Sequence, residues 1–400
     1  MANVLKVLMI VENVPAPKDR RVWPEAITLR DHGYQVSIIS PKGATAYRES
    51  YSCIDGIHIY RYHLPAVRGK YVSHVVEYTV ALVMTCWLSL KVLVRHGFDV
   101  IHVANPPDIF FIVGMCYRLL GKKFVFDQHD LAPELFQALF KRNSRLLYRL
   151  MVFLEWCTYK MANLVLVTNE SQRRNAIERG SCDDGKLVVV RNGPNLEQLK
   201  PVSPEPGLKN GWRYVLGYVG IMGVQDGVEY ALRALYELVY RRGRRDVGLI
   251  LMGEGESLCM LQALAHELGL DEYINFTGWI PIKDVARYLS VADICLIPDP
   301  LNGVNEYSTM LKTMEYMAMG KPIVAFDLYE TRYSAGEAAL YAVPNLASDF
   351  ANKIEVLLGD EALRCRMGTI GRRRVEEELS WEHSRKNLLR AYETCFARRK

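Results

Sequence analysis

The densest gathering of chemically capable side chains in this 400-residue sequence is Asn305-Glu306-Tyr307-Ser308-Thr309-Met310-Leu311-Lys312-Thr313-Met314-Glu315. It follows a run of strand character and continues into Tyr316-Met317-Ala318-Met319-Gly320-Lys321-Pro322. The spacing predicts a helix with Ser308 or Thr309 as its N-cap. Ser308, Lys312 and Glu315, at i, i+4 and i+7, would then share one face, and Leu311, Met314 and Ala318 another. Free N–H groups at the helix start, the positive end of the helix dipole and the nearby Lys312 would seat a diphosphate. Glu315 is placed to accept both hydroxyls of a ribose. The same residues also describe a capped amphipathic helix carrying a plain Lys312–Glu315 ion pair.

Three further segments can do chemistry. Asp127-Gln128-His129-Asp130 follows a strand end, where ligand crevices of open α/β sheets lie, although His129 and Asp130 also read as a hydrogen-bonding pair at a helix entry. Gly220-Ile221-Met222-Gly223-Val224-Gln225-Asp226-Gly227 is a glycine-rich turn whose amides can approach phosphate oxygens, a role it shares with any tight βα turn. Lys18, Arg20 and Arg21 lie in the loop after the first strand, close in sequence to Glu25, and read either as donor-binding cations or as surface charge. No Asp-x-Asp pair and no His/Cys cluster with metal-ligand spacing occurs, so the chemistry is expected to need no metal. The absence of G-x-G-x-x-G after the first strand removes the main support for a nicotinamide dehydrogenase.

The elements that must position these residues alternate between short apolar β-rich runs and helical stretches, the pattern of βα units in parallel sheets. Candidate strands are 5–11, 35–40, 57–62, 100–103, 124–127, 164–168 and 187–191, then 214–219, 248–253, 274–277, 294–297, 323–326 and 340–342. The length suggests two domains, at roughly 100 to 200 residues each, and so a cleft. Residues 194–211, with four prolines between Pro194 and Pro206, read as a linker between a domain at 1–193 and one at 212–378. A last amphipathic helix with Leu388, Leu389, Tyr392 and Phe396 closes the chain, within 379–400. The Leu5–Val11 run reads as a first strand rather than a signal peptide. The longest apolar stretch, Val72 to Val94, holds only thirteen uncharged residues between Glu77 and Lys91 and reads as a buried helix.

Nine cysteines, scattered singly and without a C-x-x-C pair, suit reduced thiols and a cytoplasmic protein. The net charge of +5 is uneven: residues 1–193 carry 25 Lys and Arg against 17 Asp and Glu, and residues 194–400 carry 25 against 28. A first half at +8 suggests an anionic partner such as a phosphorylated lipid or a membrane surface, and no recognition motif accompanies it that would favour nucleic acid. Lys141, Arg142, Arg145 and Arg149 alternate with Phe140, Leu146, Leu147 and Leu150, as in a basic amphipathic helix lying on an anionic membrane or in a partly buried surface helix.

The segment Glu315-Tyr316-Met317-Ala318-Met319-Gly320-Lys321-Pro322-Ile323-Val324-Ala325 resembles the family 4 glycosyltransferases of GT-B fold. Asp55-Gly56-Ile57, Phe98-Asp99-Val100-Ile101-His102, Asn192-Gly193, Gly253-Glu254-Gly255, Phe276-Thr277-Gly278-Trp279 and Ser380-Trp381-Glu382 match in order over nearly the whole chain. The resemblance implies two Rossmann-like domains facing across a cleft, with the C-terminal helix crossing back to the first. It implies a retaining transfer from a nucleoside diphosphate sugar, taken as UDP-linked, to a saccharide or polyprenyl-linked acceptor on the first domain. Resemblance is nearest to bacterial surface-polysaccharide transferases, which places the enzyme in the cytoplasm, peripheral on the inner face of the plasma membrane. It implies Glu315 on the ribose, and His129 at the reacting centre. The family's first Glu, eight positions before Glu315, falls on Tyr307, so its role on the donor sugar passes to the adjacent Glu306. Gly220, Gly223, Ser308, Thr309, Glu254, Arg20 and Arg21 complete the expected donor set. The family's Arg and Lys on the diphosphate are replaced by Ile221 and Asp226, which makes Lys312 the first candidate for the missing cation. A sugar-nucleotide epimerase of the same fold, or an inactive binding subunit, are the alternative readings.

Overall fold

The computed structural model describes residues 4–43, 46–65, 71–140 and 145–396. The chain forms two compact units, Met1–Val190 with Arg385–Lys400, and Arg191–Ser384.

The strands of the first unit are β1 (Lys6–Ile10), β2 (Gln35–Pro41), β3 (Tyr51–Ile54), β4 (Ile57–Tyr62), β5 (Val100–Ala104), β6 (Lys123–Gln128), β7 (Leu164–Val167) and β8 (Leu187–Val189). They lie in the order β3-β4-β2-β1-β5-β6-β7-β8, all parallel except the β3–β4 pair. Its helices are α1 (Val22–Asp31), α2 (Tyr71–Arg95), α3 (Phe111–Arg118), α4 (Ala132–Phe140), α5 (Arg145–Met161) and α6 (Glu170–Glu178). The second unit holds β9 (Tyr214–Val219), β10 (Val247–Met252), β11 (Ile274–Gly278), β12 (Ile294–Ile297), β13 (Ile323–Phe326) and β14 (Ala339–Ala342) in a parallel sheet of order β11-β10-β9-β12-β13-β14. Around it run α7 (Val228–Tyr236), α8 (Leu258–Glu267), α9 (Ile282–Val291), α10 (Leu311–Ala318), α11 (Tyr329–Ala335), α12 (Ala347–Gly359) and α13 (Glu361–Arg374). Helix α14 (Trp381–Phe396) passes into the first unit from Arg385 onward, where Leu388, Tyr392 and Phe396 are buried.

Both sheets are covered on two faces, which is why their strands read as unbroken apolar runs. In β9, Leu216 and Tyr218 enter one core cluster while Val215 and Val219 enter the other, following the two-residue period of a strand. The order reverses between β1 and β5 in the first unit and between β9 and β12 in the second. Ligand crevices of open α/β sheets form at the carboxyl ends of strands flanking such a reversal.

Every strand read from the sequence is present, with no end moved by more than two residues. One strand was not read: β3 is a four-residue antiparallel edge strand joined to β4 by Asp55-Gly56, both at positive φ, as a two-residue hairpin turn requires. Two expectations need correction. The 194–211 segment is not a bare linker, because Leu199 is buried in the second unit's core and Leu196 and Leu208 pack against it. Helix α2 is not buried throughout: Ala81, Leu88 and Val92 point into the core, while Val83, Trp87 and Leu90 are exposed.

Candidate active site

In the second unit the chain leaves β9 into the Gly220–Gly227 turn. A Cβ on Gly253 would lie 1.9 Å from the Gly220 carbonyl oxygen, and one on Gly227, at φ +61°, would lie 2.4 Å from that of Pro298. The glycines therefore let three strand ends close together. Gly223 N–H donates to Asp226 Oδ2 at 3.1 Å, which folds the turn back on itself.

Lys312 reaches this turn from α10. Its ammonium donates to Asp299 Oδ1 at 2.8 Å, lies 3.5 Å from Asp226 Oδ1, and sits 4.9 Å from the centre of the Tyr218 ring. Burial works against its charge, but Asp299, Tyr218 and Asp226 hold the amine above its ordinary range. Burial pushes the Asp299 carboxyl up to about 6, with Lys312 pulling against it. At the place where the family carries a lysine this chain has Asp226, and a lysine from another element is brought to it. The alternative reading, a plain Lys312–Glu315 ion pair on a surface helix, does not describe this lysine, which is buried against Asp299 and Asp226.

The helix also departs from expectation. It starts at Leu311, with Met310 as an N-cap whose side chain makes no capping bond. Ser308 does not cap it, because it lies two residues before the N-cap position; its hydroxyl donates back to Val304 O at 2.8 Å and its N–H to Asn305 O at 3.3 Å. Nor has α10 a solvated polar face: Lys312 through Ala318 are all buried, since α11, α13 and β12 surround the helix. Glu315 is thus a buried carboxylate, and the amides on offer to an anion belong to the uncapped turn beginning at Leu311 rather than to Ser308. Thr309 is buried and Ser308 half-buried just before it.

Glu306 sits in a one-turn 3₁₀ segment, Asn305–Tyr307. Asn305 Nδ2 anchors that segment to Gln225 O at 2.8 Å and Pro300 O at 2.9 Å, tying it to the glycine turn. Glu306 Oε2 is buried without a hydrogen-bond partner. Tyr316 accepts from Val219 N–H and donates to Leu296 O, so the tyrosine of this segment ties β9 and β12 together beneath the turn. Glu254 is exposed, and its carbonyl accepts from Met222 N–H at 2.9 Å.

In the first unit, His129 lies just beyond β6 and its Nε2 is 2.6 Å from Asp127 Oδ2, so its partner is Asp127 rather than Asp130. Asn105 Oδ1 accepts from the backbone N–H of His129 at 2.6 Å and of Asp130 at 3.2 Å, and Gln172 Nε2 donates to His129 O at 3.0 Å. Asp127 is gripped from the other side by Arg21, whose Nε and Nη2 both donate to the carboxylate and whose Nη1 donates to Val190 O at 2.7 Å. Burial would raise Asp127, yet Arg21, His129 and His102 hold it well below the usual carboxylate range. Glu25 goes the other way, raised well above its usual range by burial and by Asp127.

Arg21 is therefore buried and committed, which corrects its place in the donor set. Arg20 and Lys18 remain exposed on the same loop. The fold also gathers Glu25, His102 and Asp127, whose ligand-type atoms lie within 4.8 Å of one another. Sequence spacing did not show this group because its members come from α1, β5 and β6. Arg21 Nη2 lies among them, 2.5 Å from Asp127 and 3.4 Å from Glu25, so a guanidinium supplies the positive charge there.

Two family descriptions match. Residues 20–193 match the Glycosyl transferase 4-like domain, and residues 213–360 match the Glycosyl transferases group 1 family. The chain belongs to the family 4 glycosyltransferases. As a member it transfers a sugar from a nucleotide sugar, and its two units are the Rossmann-like domains of a GT-B enzyme. Among curated relatives, a D-inositol 3-phosphate glycosyltransferase of Corynebacterium jeikeium is 27% identical over 58% of this chain and 57% of its own length. A 2-deoxystreptamine glucosyltransferase of Streptomyces kanamyceticus is 22% identical over 84% of this chain and 88% of its own. Among solved structures, the sucrose-phosphate synthase of Thermosynechococcus elongatus superposes with a TM-score of 0.78 at 19% identity, over 98% of this chain and 99% of that one. Anabaena HepE in complex with UDP-glucose gives 0.71 at 14% identity over 98% of this chain and 100% of its own.

Proposed function

We propose that this glycosyltransferase moves a hexose from a UDP-linked donor, with retention at the anomeric carbon and without a metal, to a saccharide or lipid-linked saccharide of a bacterial surface polysaccharide. The observation that carries the donor reading is the buried, unpartnered Oε2 of Glu306, held by Asn305 beside the glycine turn and followed by the uncapped start of α10. An acceptor oxygen in that position answers sugar hydroxyls, and open amides answer phosphate. Glu315 takes the ribose. Lys312 is a cation at the glycine turn, 3.5 Å from Asp226 Oδ1. With Asp299 poised near pH 6, an arriving diphosphate draws a proton onto that carboxyl and turns the ammonium's charge towards the leaving group. Arg20 adds a second, exposed cation. His129, fixed by Asp127 through Nε2, serves the reacting centre with Nδ1 and its backbone. A UDP donor is favoured by the likeness to HepE, and a polysaccharide role by the fold shared with WaaG, described as a glycosyltransferase of lipopolysaccharide biosynthesis (TM-score 0.71, 17% identity). We place the enzyme in the cytoplasm, at the inner face of the plasma membrane.

The test is to mix UDP-α-hexose with short-chain lipid-linked saccharides in EDTA, following UDP release and the anomeric proton of the product. Acceptor-dependent UDP release with an α-linked product supports the reading. A β-linked product contradicts retention, and UDP release without acceptor points to hydrolysis or to an epimerase-like site.

A further inference from the structure

We infer that the solvent side of α2, α3 and α5 is a docking face for an anionic lipid bilayer, which deepens the reading of a lipid-linked acceptor and rests on it only for the choice of membrane.

The three helices lie in one layer. The connections β4 to β5, β5 to β6 and β6 to β7 all advance the same way across the sheet, and right-handed crossovers put their helices on the same side. Helix α3 packs against both α2 and α5.

Water should select a polar outer stripe on such helices. Here the stripes are apolar. On α2, Val76, Val83, Trp87, Leu90 and Val94 recur at helical spacing and are exposed, Val94 to 86%. The end of α3 leads into Leu119, 88% exposed, and Leu120. On α5, Leu146, Leu150, Phe153 and Trp156 follow one another on one face, Leu146 at 81% exposure. Side chains of this size spread over three adjacent helices exceed the scattered apolar exposure of an ordinary surface and mark an interaction face.

Its charge selects the occupant. Six cations lie on these helices: Lys91 and Arg95, Arg118, and Arg145, Arg149 and Lys160. They carry two carboxylates. Glu77 is half-buried with His74 at 3.2 Å, and Glu155 is fully buried against Arg179 at 2.8 Å. The outer face is thus apolar and cationic with no exposed carboxylate among its described residues. Lys91 Nζ lies 5.4 Å from the centre of the Trp87 ring, and Lys160 Nζ 5.8 Å from that of Trp156, which stacks on Phe153. Apolar bodies beneath and ammonium groups above match the boundary between acyl chains and anionic headgroups. A second protein of like composition would instead meet unpaired positive charge. Helix α2 is the one described helix long and apolar enough to cross a bilayer. Its inward residues Ala81, Leu88 and Val92 belong to the core, so it presents a face and does not span.

The test uses the full chain with vesicles of pure phosphatidylcholine and of phosphatidylcholine with about one third phosphatidylglycerol. Flotation of the protein with the anionic vesicles alone, weakening as salt rises, is the expected result. Leu90→Glu with Leu150→Glu should weaken partitioning at least about tenfold, and each of Lys91→Gln and Arg149→Gln roughly fivefold. Leu90, Arg149 and Leu150 are exposed and Lys91 is half-buried with its ammonium 5.4 Å from the centre of the exposed Trp87 ring, so thermal stability and UDP-sugar binding should stay unchanged, which separates failure here from failure of the donor reading. No partitioning to anionic vesicles at low salt, equal binding to neutral ones, or a dimer abolished by the two glutamates would each overturn the proposal.

Discussion

The first unit holds its buried charge with an arginine and the second with a lysine, and the two pairs differ in what they do with a proton. Arg21 grips Asp127 through two nitrogens and, with His129 and His102, holds the carboxylate well below its usual range. Lys312 meets Asp299 as a point charge, sharing itself with Asp226, and leaves Asp299 to titrate near pH 6. A planar fork fixes geometry, whereas an ammonium on a flexible stem leaves its partner adjustable. The first arrangement suits the orientation of His129, and the second suits a site that must accept and release a highly charged leaving group.

The largest effect that would separate the two is Asp127→Asn. It leaves Arg21 buried and short of a carboxylate and should cost about 3–5 kcal/mol of stability, read as the midpoint of denaturant unfolding. It should also remove turnover, because His129 loses its Nε2 partner. His129→Ala, at a part-exposed position, should keep stability and still lose turnover roughly 10²-fold or more. Equal stability losses in both would mean that His129 is part of the scaffold. Next comes Lys312→Met, for which turnover should fall by roughly 10²- to 10³-fold. Its stability loss should be smaller than that of Asp127→Asn, since Asp299 can neutralise itself by taking up a proton. Unchanged kinetics would remove Lys312 from the donor site.

The pH dependence of stability sharpens the contrast further. Asp299, raised from 3.8 to about 6, favours its protonated form in the folded state, so the stability it confers is present below pH 3.8 and is lost as pH rises towards 6. Asp127 is depressed, so its contribution is present above 3.8 and is lost only in stronger acid. Asp299→Asn should therefore flatten the stability profile between pH 4 and 6, and Asp127→Asn should lower the whole profile without changing its slope there. The smallest expected effect is Glu315→Ala, which should raise the donor KM by about tenfold, the worth of a charged hydrogen bond to ribose, with kcat little changed.

Much of this is legible in the sequence. The βα alternation gave all but one strand, because a strand buried on both faces must be apolar along its length. β3 escaped because it is short, on an edge, and half exposed. Residues 305–315 are legible as a group, but their contacts are not. Ser308 is a natural cap by type, yet the helix begins at Leu311 with Met310 in the N-cap place, and the Ser308 hydroxyl donates to Val304 O in the preceding turn. Lys312 and Glu315 have the spacing of a surface pair, yet α10 is buried on all sides by elements distant in sequence. The Arg21–Asp127–Glu25–His102 group left one faint trace: a histidine and an aspartate embedded in the apolar runs of β5 and β6, where a charge needs a partner. Nothing local named Arg21 as that partner.

The central claim is that residues 306–315 and the glycine turn hold a UDP-sugar without a metal. Calorimetry of the purified protein in EDTA against UDP-, GDP-, ADP- and TDP-sugars, repeated with Glu306→Gln and Glu315→Ala, addresses it directly. The account predicts binding of the UDP-sugar over the other three, weakened in both variants. Failure of the folded wild-type protein to bind any of the four, or binding untouched by both substitutions, would contradict it.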